Sequence, residues 1–449
     1  MRIKLNLILL LGIAAANFGL AASIEPRPEN PVLASFFPLK APAPGGLCLK
    51  RGDRLAICGD SITEQRLYSR IMEDYLTVCV PELKVTVRQY GWSGEKAAGF
   101  LGRMTNDCLR FNPTIATTCY GMNDHEYRPY EDRIGQLYCE KSLAIIEAFK
   151  SHGVRVILGS PGCVGKMPSW VKSATGTVED LNLSLCTLRN LGIGMAGEEK
   201  VRFADVFWPM LTGGVQARDT FGAGYAIAGA DGVHPGWAGH TVMAYAFLKA
   251  MGLDGEIGTF SVDLDSHTIK VSSGHQLVSA KGDAFVIRSS RYPFCPCVET
   301  GQGDASYPAC PKDNPASDAS IRSAMKLVPF NQDLNRCLLV ARHATAAYYK
   351  VTWGGTEKLF PGKALAAGVN LAEEFPCNPF GAAFAKVDAA VAAKQAFETH
   401  QIKDIFHGRE GKDDLKGAVT RTEHEREPLA QAIQNAFVPV THELKIEAL

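Results

Sequence analysis

Apolar runs and amphipathic stretches alternate along the first half of the chain. RLAIC (54–58), KVTVRQY (84–90), TIATTCY (114–120) and VRVILGS (154–160) are short strand candidates rich in apolar and β-branched residues. Such runs predict strands buried on both faces. Between them, Glu64 to Val78 and Ile134 to Ser151 carry apolar residues at helical spacing, and TVMAYAFLKAMG (241–252) predicts a closing helix. Repeated strand–helix units of this size predict an α/β domain over 53–252, with a parallel central sheet covered by helices on both faces.

The pattern then changes. TFSVDL, TIKVSS, HQLVSA and DAFVIR, between 259 and 290, alternate with period two and are separated by turn residues, which predicts a small antiparallel β module. NRCLLVARH and AAYYKVTWGG read as strands in parts, residues 362–405 as helix, and the last forty residues as a charged segment, helical or mobile. Residues 259–449 are therefore expected to form a β-rich and helical accessory region. It could bind carbohydrate, cover a pocket or complete the first domain. Trp353, Tyr348 and Tyr349 would suit sugar stacking if exposed, but the interior of the module is the more frequent place for them.

The N-terminus adds a compartment. Arg2 and Lys4 precede LNLILLLGIAAANFGLAAS, so residues 1–22 read as a signal peptide and the chain as secreted or periplasmic. Residues 23–52 are proline-rich and read as an extended strap. No later run is apolar enough to span a membrane, so no stable membrane insertion is expected after cleavage. Export makes disulfides an expectation for some of the 13 cysteines; the densest group, Cys295, Cys297 and Cys310, reads as a disulfide-bearing loop or as chance rather than as a metal site, and Cys58 and Cys119 fit equally well as buried thiols. Forty-seven basic residues balance 47 acidic ones, which removes any overall pull toward nucleic acid.

Candidate chemistry collects at the predicted strand ends, the edge where open α/β sheets bind ligands. Ser61 follows the first strand in LAICGDSITEQRL, Gly94 follows the second in GWSGEK, Asn123 the third in GMND, and DGVHP places Asp231 three residues before His234. Each has an ordinary explanation: a helix cap for Ser61, a turn for Asn123 and Asp231, a loop position for Gly94, a satisfied histidine for His234. Together they are the parts that acyl transfer needs: nucleophile, base, orienter and oxyanion donors. His125 and Trp92 lie close enough in sequence to reach such a pocket or to pack beside it. No metal or cofactor is implied.

These blocks, GDSIT at 59–63, the glycine at 94, GMND at 121–124 and DGVHP at 231–235, resemble the four blocks of the SGNH (GDSL-type) hydrolases. The resemblance covers about 53–252 and implies a flavodoxin-like three-layer α/β/α fold. It implies Ser61 as nucleophile, Asp231 and His234 as acid and base, and the Ser61 and Gly94 N–H groups with the Asn123 side chain as oxyanion donors. The second block departs from the pattern, since RQYGWSGEK lacks the usual polar residue before its glycines, so Gly91 competes with Gly94. GWSGEKAAG (91–99), YGMND (120–124) and AGVNLAEEF (367–375) are also similar to a type of secreted carbohydrate esterase with appended β modules. That likeness implies a serine esterase acting on small-molecule or polysaccharide esters, with O-acetyl carbohydrate as the expected substrate. The alternatives are an esterase on lipid-like or aryl esters and a non-catalytic glycan-binding protein. The oligomeric state is not legible.

Overall fold

The computed structural model describes residues 23–172, 175–296 and 314–449. The expected signal segment, Cys297 and Cys310 lie outside them.

Five parallel strands form the central sheet: β1 (Arg54–Gly59), β2 (Thr86–Gly91), β3 (Ile115–Cys119), β4 (Arg155–Gly159) and β5 (Arg202–Ala204), in the order β2-β1-β3-β4-β5. This is the flavodoxin-like order, in which the chain reverses direction of growth beside β1. Helices α1 (Ser61–Glu64), α2 (Tyr68–Val78), α3 (Ala97–Asp107), α4 (Asp132–Ser151), α5 (Val178–Glu199), α6 (Phe207–Phe221) and α7 (Trp237–Ala250) complete the layers. The strands are buried almost end to end, as a parallel sheet covered on both faces requires, and the polar Arg88 and Gln89 of β2 are met by Gln401 and Gln395 from the C-terminal region. Gly59 pairs with Gly91 on β2 and with Cys119 on β3, so three loops leave the sheet at one level. The predicted helix 64–78 is broken after Glu64, where Arg66 adopts a left-handed φ of 60°.

The strap is anchored: Leu33 and Phe36 are buried, and Phe36 packs on Phe207 and Trp208. Arg189 pairs with Asp205 and donates to the Leu39 carbonyl at 2.6 Å, holding the strap from beneath.

The C-terminal region holds two sheets. β6 (Glu256–Asp263), β7 (Thr268–Val271), β10 (Arg336–Arg342) and β13 (Val369–Asn370) form one. β8 (His275–Lys281), β9 (Ala284–Ser289), β11 (Tyr348–Trp353), β12 (Thr356–Pro361) and β14 (Val440–Ala448) form the other. The module is not purely antiparallel, because β10 runs parallel to β6 after a long crossover. Trp353 and Tyr349 fill its interior and only Tyr348 faces solvent. The AGVNLAEEF segment is a polar staple: the Asn370 side chain accepts from the Cys337 N–H and donates to the Asn331 and Asn335 carbonyls.

Helices α8 (Gly381–His400) and α9 (Arg409–Ala436) cover the free edge of β2. The ladder groups that a missing strand would satisfy are met by side chains. Lys394 Nζ donates to the Val87 carbonyl at 2.5 Å, and the Gln89 N–H donates to Glu398 at 3.2 Å. These buried charges compensate one another, Lys394 with Glu73 at 2.6 Å and Arg426 with Glu398 at 2.6 Å.

Among the described residues the expected disulfides find no support, and Cys297 and Cys310 of the expected loop lie outside them. Cys48, Cys58, Cys79, Cys108, Cys119, Cys139, Cys163, Cys186 and Cys337 are free thiols, and most are buried. Cys58 and Cys119 sit in interior strands, and burial drives both thiols well above their ordinary pKa, as expected of inert core cysteines. Cys295 is buried, its Sγ facing the Pro293 carbonyl and the Asn378 side chain. No helix among the described residues is long and apolar enough to cross a membrane.

Candidate active site

Ser61 opens α1 directly after β1. Asp60 caps this helix, its Oδ1 accepting from the Ile62 N–H at 2.9 Å, and Ser61 is left at the first helical position with its N–H free of any intrahelical acceptor. The Ser61 hydroxyl lies 2.8 Å from His234 Nε2, and His234 Nδ1 lies 2.7 Å from Asp231 Oδ2. The second Asp231 oxygen, Oδ1, accepts from the backbone N–H groups of Val233 (2.9 Å) and His234 (2.8 Å). The carboxylate is therefore both a turn former and a partner of the imidazole, two readings that looked like alternatives in the sequence.

Burial alone would raise the Asp231 carboxyl, but the His234 and Val233 N–H groups and the His234 ring outweigh it and hold it below the usual carboxylate range. An ionised Asp231 accepts, so His234 carries its proton on Nδ1. Nε2 is then free to accept from Ser61.

The two glycines of the second block differ in space and hydrogen bonding. The Gly91 N–H already donates to Gln89 Oε1 at 2.9 Å, and a Cβ there would stand 2.1 Å from the Glu64 nitrogen. Gly91 is a close-approach glycine that lets β2 end against α1. Gly94 is different: φ is +73°, open space surrounds its Cα, and its N–H has no partner among the described residues. It is the third residue of a turn closed by Glu95 N–H donating to Trp92 O at 3.2 Å, a position that favours glycine.

Asn123 presents one further donor. Its Nδ2 gives one hydrogen to the Glu95 carbonyl at 3.1 Å, and its Oδ1 accepts from the Tyr127 hydroxyl at 3.1 Å. One amide hydrogen remains. Because β2 and β3 flank β1, the loops bearing Gly94 and Asn123 stand on either side of Ser61. The arrangement can pass a proton from serine to histidine, and it offers three N–H bonds, one each from Ser61, Gly94 and Asn123, with no acceptor among the described residues.

His125 and Trp92 take packing places. His125 is fully buried, donates from Nδ1 toward the Met122 carbonyl at 2.5 Å and packs at a tilt against the Tyr127 ring; burial lowers its pKa to about 4. Trp92 is held by Arg103 and by His407, whose ring meets it edge-on at 4.8 Å. Several neighbours carried no signal of their own. Tyr127 holds Asn123, and Trp170, 42% exposed, stands 5.8 Å from the His234 ring and perpendicular to Tyr127. Glu95 forms a buried two-point ion pair with Arg103 and accepts from the Tyr120 hydroxyl at 2.9 Å. The spacing of Tyr127 four residues after Asn123 was the one available hint.

Residues 57–242 match the model of the GDSL-like Lipase/Acylhydrolase family. No curated protein matches the chain. Among solved structures, a gut microbial diltiazem-metabolizing enzyme superposes with a TM-score of 0.69 at 20% identity, covering 91% of this chain and 100% of that one. The likeness is one of fold, and it extends through both halves. An acetylxylan esterase from Geobacillus stearothermophilus is similar with a TM-score of 0.38 at 21% identity, over 46% of this chain and 96% of its own. An alpha/beta hydrolase enzyme from the metagenome of Lake Arreo, Spain, has a TM-score of 0.37 at 22% identity, over 46% and 98%.

Proposed function

The chain belongs, through residues 57–242, to the GDSL-like lipase/acylhydrolase family of ester hydrolases, and on that premise we propose that it is a serine esterase releasing O-acetyl groups from a carbohydrate. The observation that carries this reading is the unbroken relay from Ser61 Oγ to His234 to Asp231, with contacts of 2.8 and 2.7 Å. A binding protein has no chemical need for it.

In the reaction, His234 Nε2 takes the Ser61 proton as Oγ bonds to the ester carbonyl carbon. The carbonyl electrons move to oxygen, and the oxyanion is met by the N–H groups of Ser61 and Gly94 and by Asn123 Nδ2. Asp231 stabilises the imidazolium that forms. The carbon–oxygen bond to the alcohol then breaks, and the alcohol leaves with the proton from His234. Water, deprotonated by the same nitrogen, attacks the acyl-serine; acetate leaves and Ser61 recovers its proton.

Two features support a sugar-borne acetyl group. The His234 and Asp231 side chains are 27% and 38% exposed, so an ester on a bulky polar carrier reaches them from open solvent. Trp170 offers a half-exposed ring beside His234, an amphipathic surface suited to the flat face of a sugar. Export of the chain by residues 1–22 is part of the same proposal, since it brings the enzyme to glycans outside the cytoplasm.

The test is acetate release from p-nitrophenyl acetate and from a panel of acetylated polysaccharides, beside Ser61→Ala. Release abolished by the substitution, with turnover falling steeply beyond propionyl, supports the reading. A Ser61→Ala protein as active as the parent removes it. Turnover that rises with acyl length transfers the assignment to lipid-like esters.

A further inference from the structure

The loop that carries Gly94 is gripped from outside the hydrolase domain. Between α8 and α9 the chain makes a π-helical turn, Gln401–Phe406, a conformation found mostly as single turns at functional positions. From this turn Lys403 Nζ reaches Glu64 Oε1 at 2.6 Å. The other Glu64 oxygen accepts from both the backbone N–H of Ser93, at 2.5 Å, and its hydroxyl, at 2.7 Å. Glu64 is three residues after Ser61, and Ser93 immediately precedes Gly94. One carboxylate thus ties the nucleophile's helix to the oxyanion loop, and Lys403 holds that carboxylate.

A second line runs parallel to the first. His407, just past the turn, meets Trp92 edge-on and lies 2.8 Å from the buried Asp107 carboxylate. Asp107 pairs with Arg103 at 3.3 Å, and Arg103 grips Glu95 at 2.6 Å. Glu95 supplies the carbonyl that holds Asn123. The loop from Trp92 to Glu95 is therefore fixed at both ends by groups that converge on the 403–407 segment. We propose that Lys403 and His407 are positioning residues of the active site, and that the C-terminal helical hairpin sets the geometry of the oxyanion donors.

The inference rests on the serine-esterase reading and deepens it. Gly94 has free space around it and a left-handed φ, so nothing at the residue itself fixes the direction of its N–H. The Lys403–Glu64 pair is partly exposed, with side chains 26% and 17% accessible, so its removal costs little folding stability. Its effect is then read in the chemistry.

The experiment uses the full chain with Lys403→Met, Lys403→Arg, His407→Leu and Ser61→Ala, measuring kcat and KM on p-nitrophenyl acetate and Tm. Displacing an oxyanion donor that is itself worth about 10²–10³ in rate should lower kcat per folded molecule by about 10-fold or more in Lys403→Met and in His407→Leu, with KM within about twofold; Tm should be almost unmoved in Lys403→Met and lowered in His407→Leu, which leaves the buried Asp107 carboxylate without that partner. Lys403→Arg should recover most of the rate. A Lys403→Met enzyme with parental kcat, while Ser61→Ala is dead, overturns this inference and leaves the esterase reading standing. Ser61→Ala with full activity removes the esterase reading instead. If Lys403→Met and His407→Leu lose rate only in proportion to lost folded protein, or Lys403→Arg fails to rescue, the positioning role is overturned.

Discussion

Asp231 holds His234 twice, its Oδ1 accepting the histidine's own backbone N–H at 2.8 Å and its Oδ2 facing ring Nδ1 at 2.7 Å. One side chain fixes where the imidazole begins and which of its nitrogens is protonated. Asp231→Asn can keep part of the backbone contact but no longer selects the tautomer. The expected outcome is a kcat lowered by about 10³–10⁴ with little change in Tm, measured by steady-state kinetics and thermal melting. Asp231→Ala should also lower Tm, because it frees the two N–H groups of the turn.

Gly91 and Gly94 are expected to fail in opposite ways. At Gly94 an alanine meets no neighbour but must adopt φ near +73°, a strain of about 1–2 kcal/mol that the loop can relieve by turning. Gly94→Ala should fold, melt slightly lower and lose kcat. Gly91→Ala puts a methyl 2.1 Å from the Glu64 nitrogen and must push α1 away from the sheet, costing on the order of 3 kcal/mol or more. Comparison of Tm with kcat per folded molecule separates the two. Equal melting temperatures for both variants would refute this division of roles.

What was legible in the sequence follows the range of the interactions. β1, β3 and β4 could be read because they are short, mostly apolar or β-branched runs, and β2 because Val85, Thr86 and Val87 are β-branched although Arg88 and Gln89 follow. β5 has three residues and leaves no such run. β14 was read as part of a charged helical or mobile tail because Glu443, Lys445 and Glu447 alternate with its apolar residues, and only the fold shows it as a central strand paired with β9 on one edge and β11 on the other. The same holds at the site. Ser61, Asn123, Asp231 and His234 sit in short blocks that could be named as candidates in advance, and of these Ser61, His234 and Asp231 are in hydrogen-bond contact. Lys403 reaches Glu64 across 339 positions, and only the packing of the hairpin on β2 brings the two together.

Asn123 and Tyr127 should be separable by magnitude. Asn123→Ala removes a donor from the oxyanion and is expected to lower kcat by about 10²–10³ with a small change in KM. Tyr127→Phe removes only the hydroxyl that anchors Asn123 Oδ1, leaving the Glu95 carbonyl as the second hold. A single hydrogen bond is worth about 1 kcal/mol, so the loss should be about 3- to 10-fold. In the double variant the tyrosine has nothing left to position. Asn123→Ala/Tyr127→Phe should match Asn123→Ala alone, and a fully multiplicative loss would show that Tyr127 acts through something else.

The accessory sheets contain a buried relay whose pH dependence has a definite sign. Trp353 Nε1–H donates to His442 Nδ1 at 3.1 Å, so His442 is protonated on Nε2 and donates to Ser289 Oγ at 2.9 Å. Ser289 in turn donates to His275 Nδ1 at 2.8 Å, and His275 Nε2–H donates to the Ile257 carbonyl at 3.1 Å. Every member is satisfied with both histidines neutral, and a proton added to His442 Nδ1 would face the indole N–H. Burial, with the neighbouring His275, lowers the His442 pKa from 6.5 to about 3. The unfolded chain therefore binds a proton at His442 that the folded chain refuses, so this residue's contribution to stability is full above about pH 6.5 and is lost as pH falls toward 3. Asp60, raised by burial to about 7, has the opposite slope from its unfolded value of 3.8 upward, so the total curve mixes both signs. A difference isolates His442. Glutamine can occupy the position without titrating, and His442→Gln should lower Tm at pH 7.5 by more than it does at pH 4.5. A Tm difference that stays constant across that interval would mean that His442 is protonated, or unprotonated, to the same extent in the folded and unfolded chains.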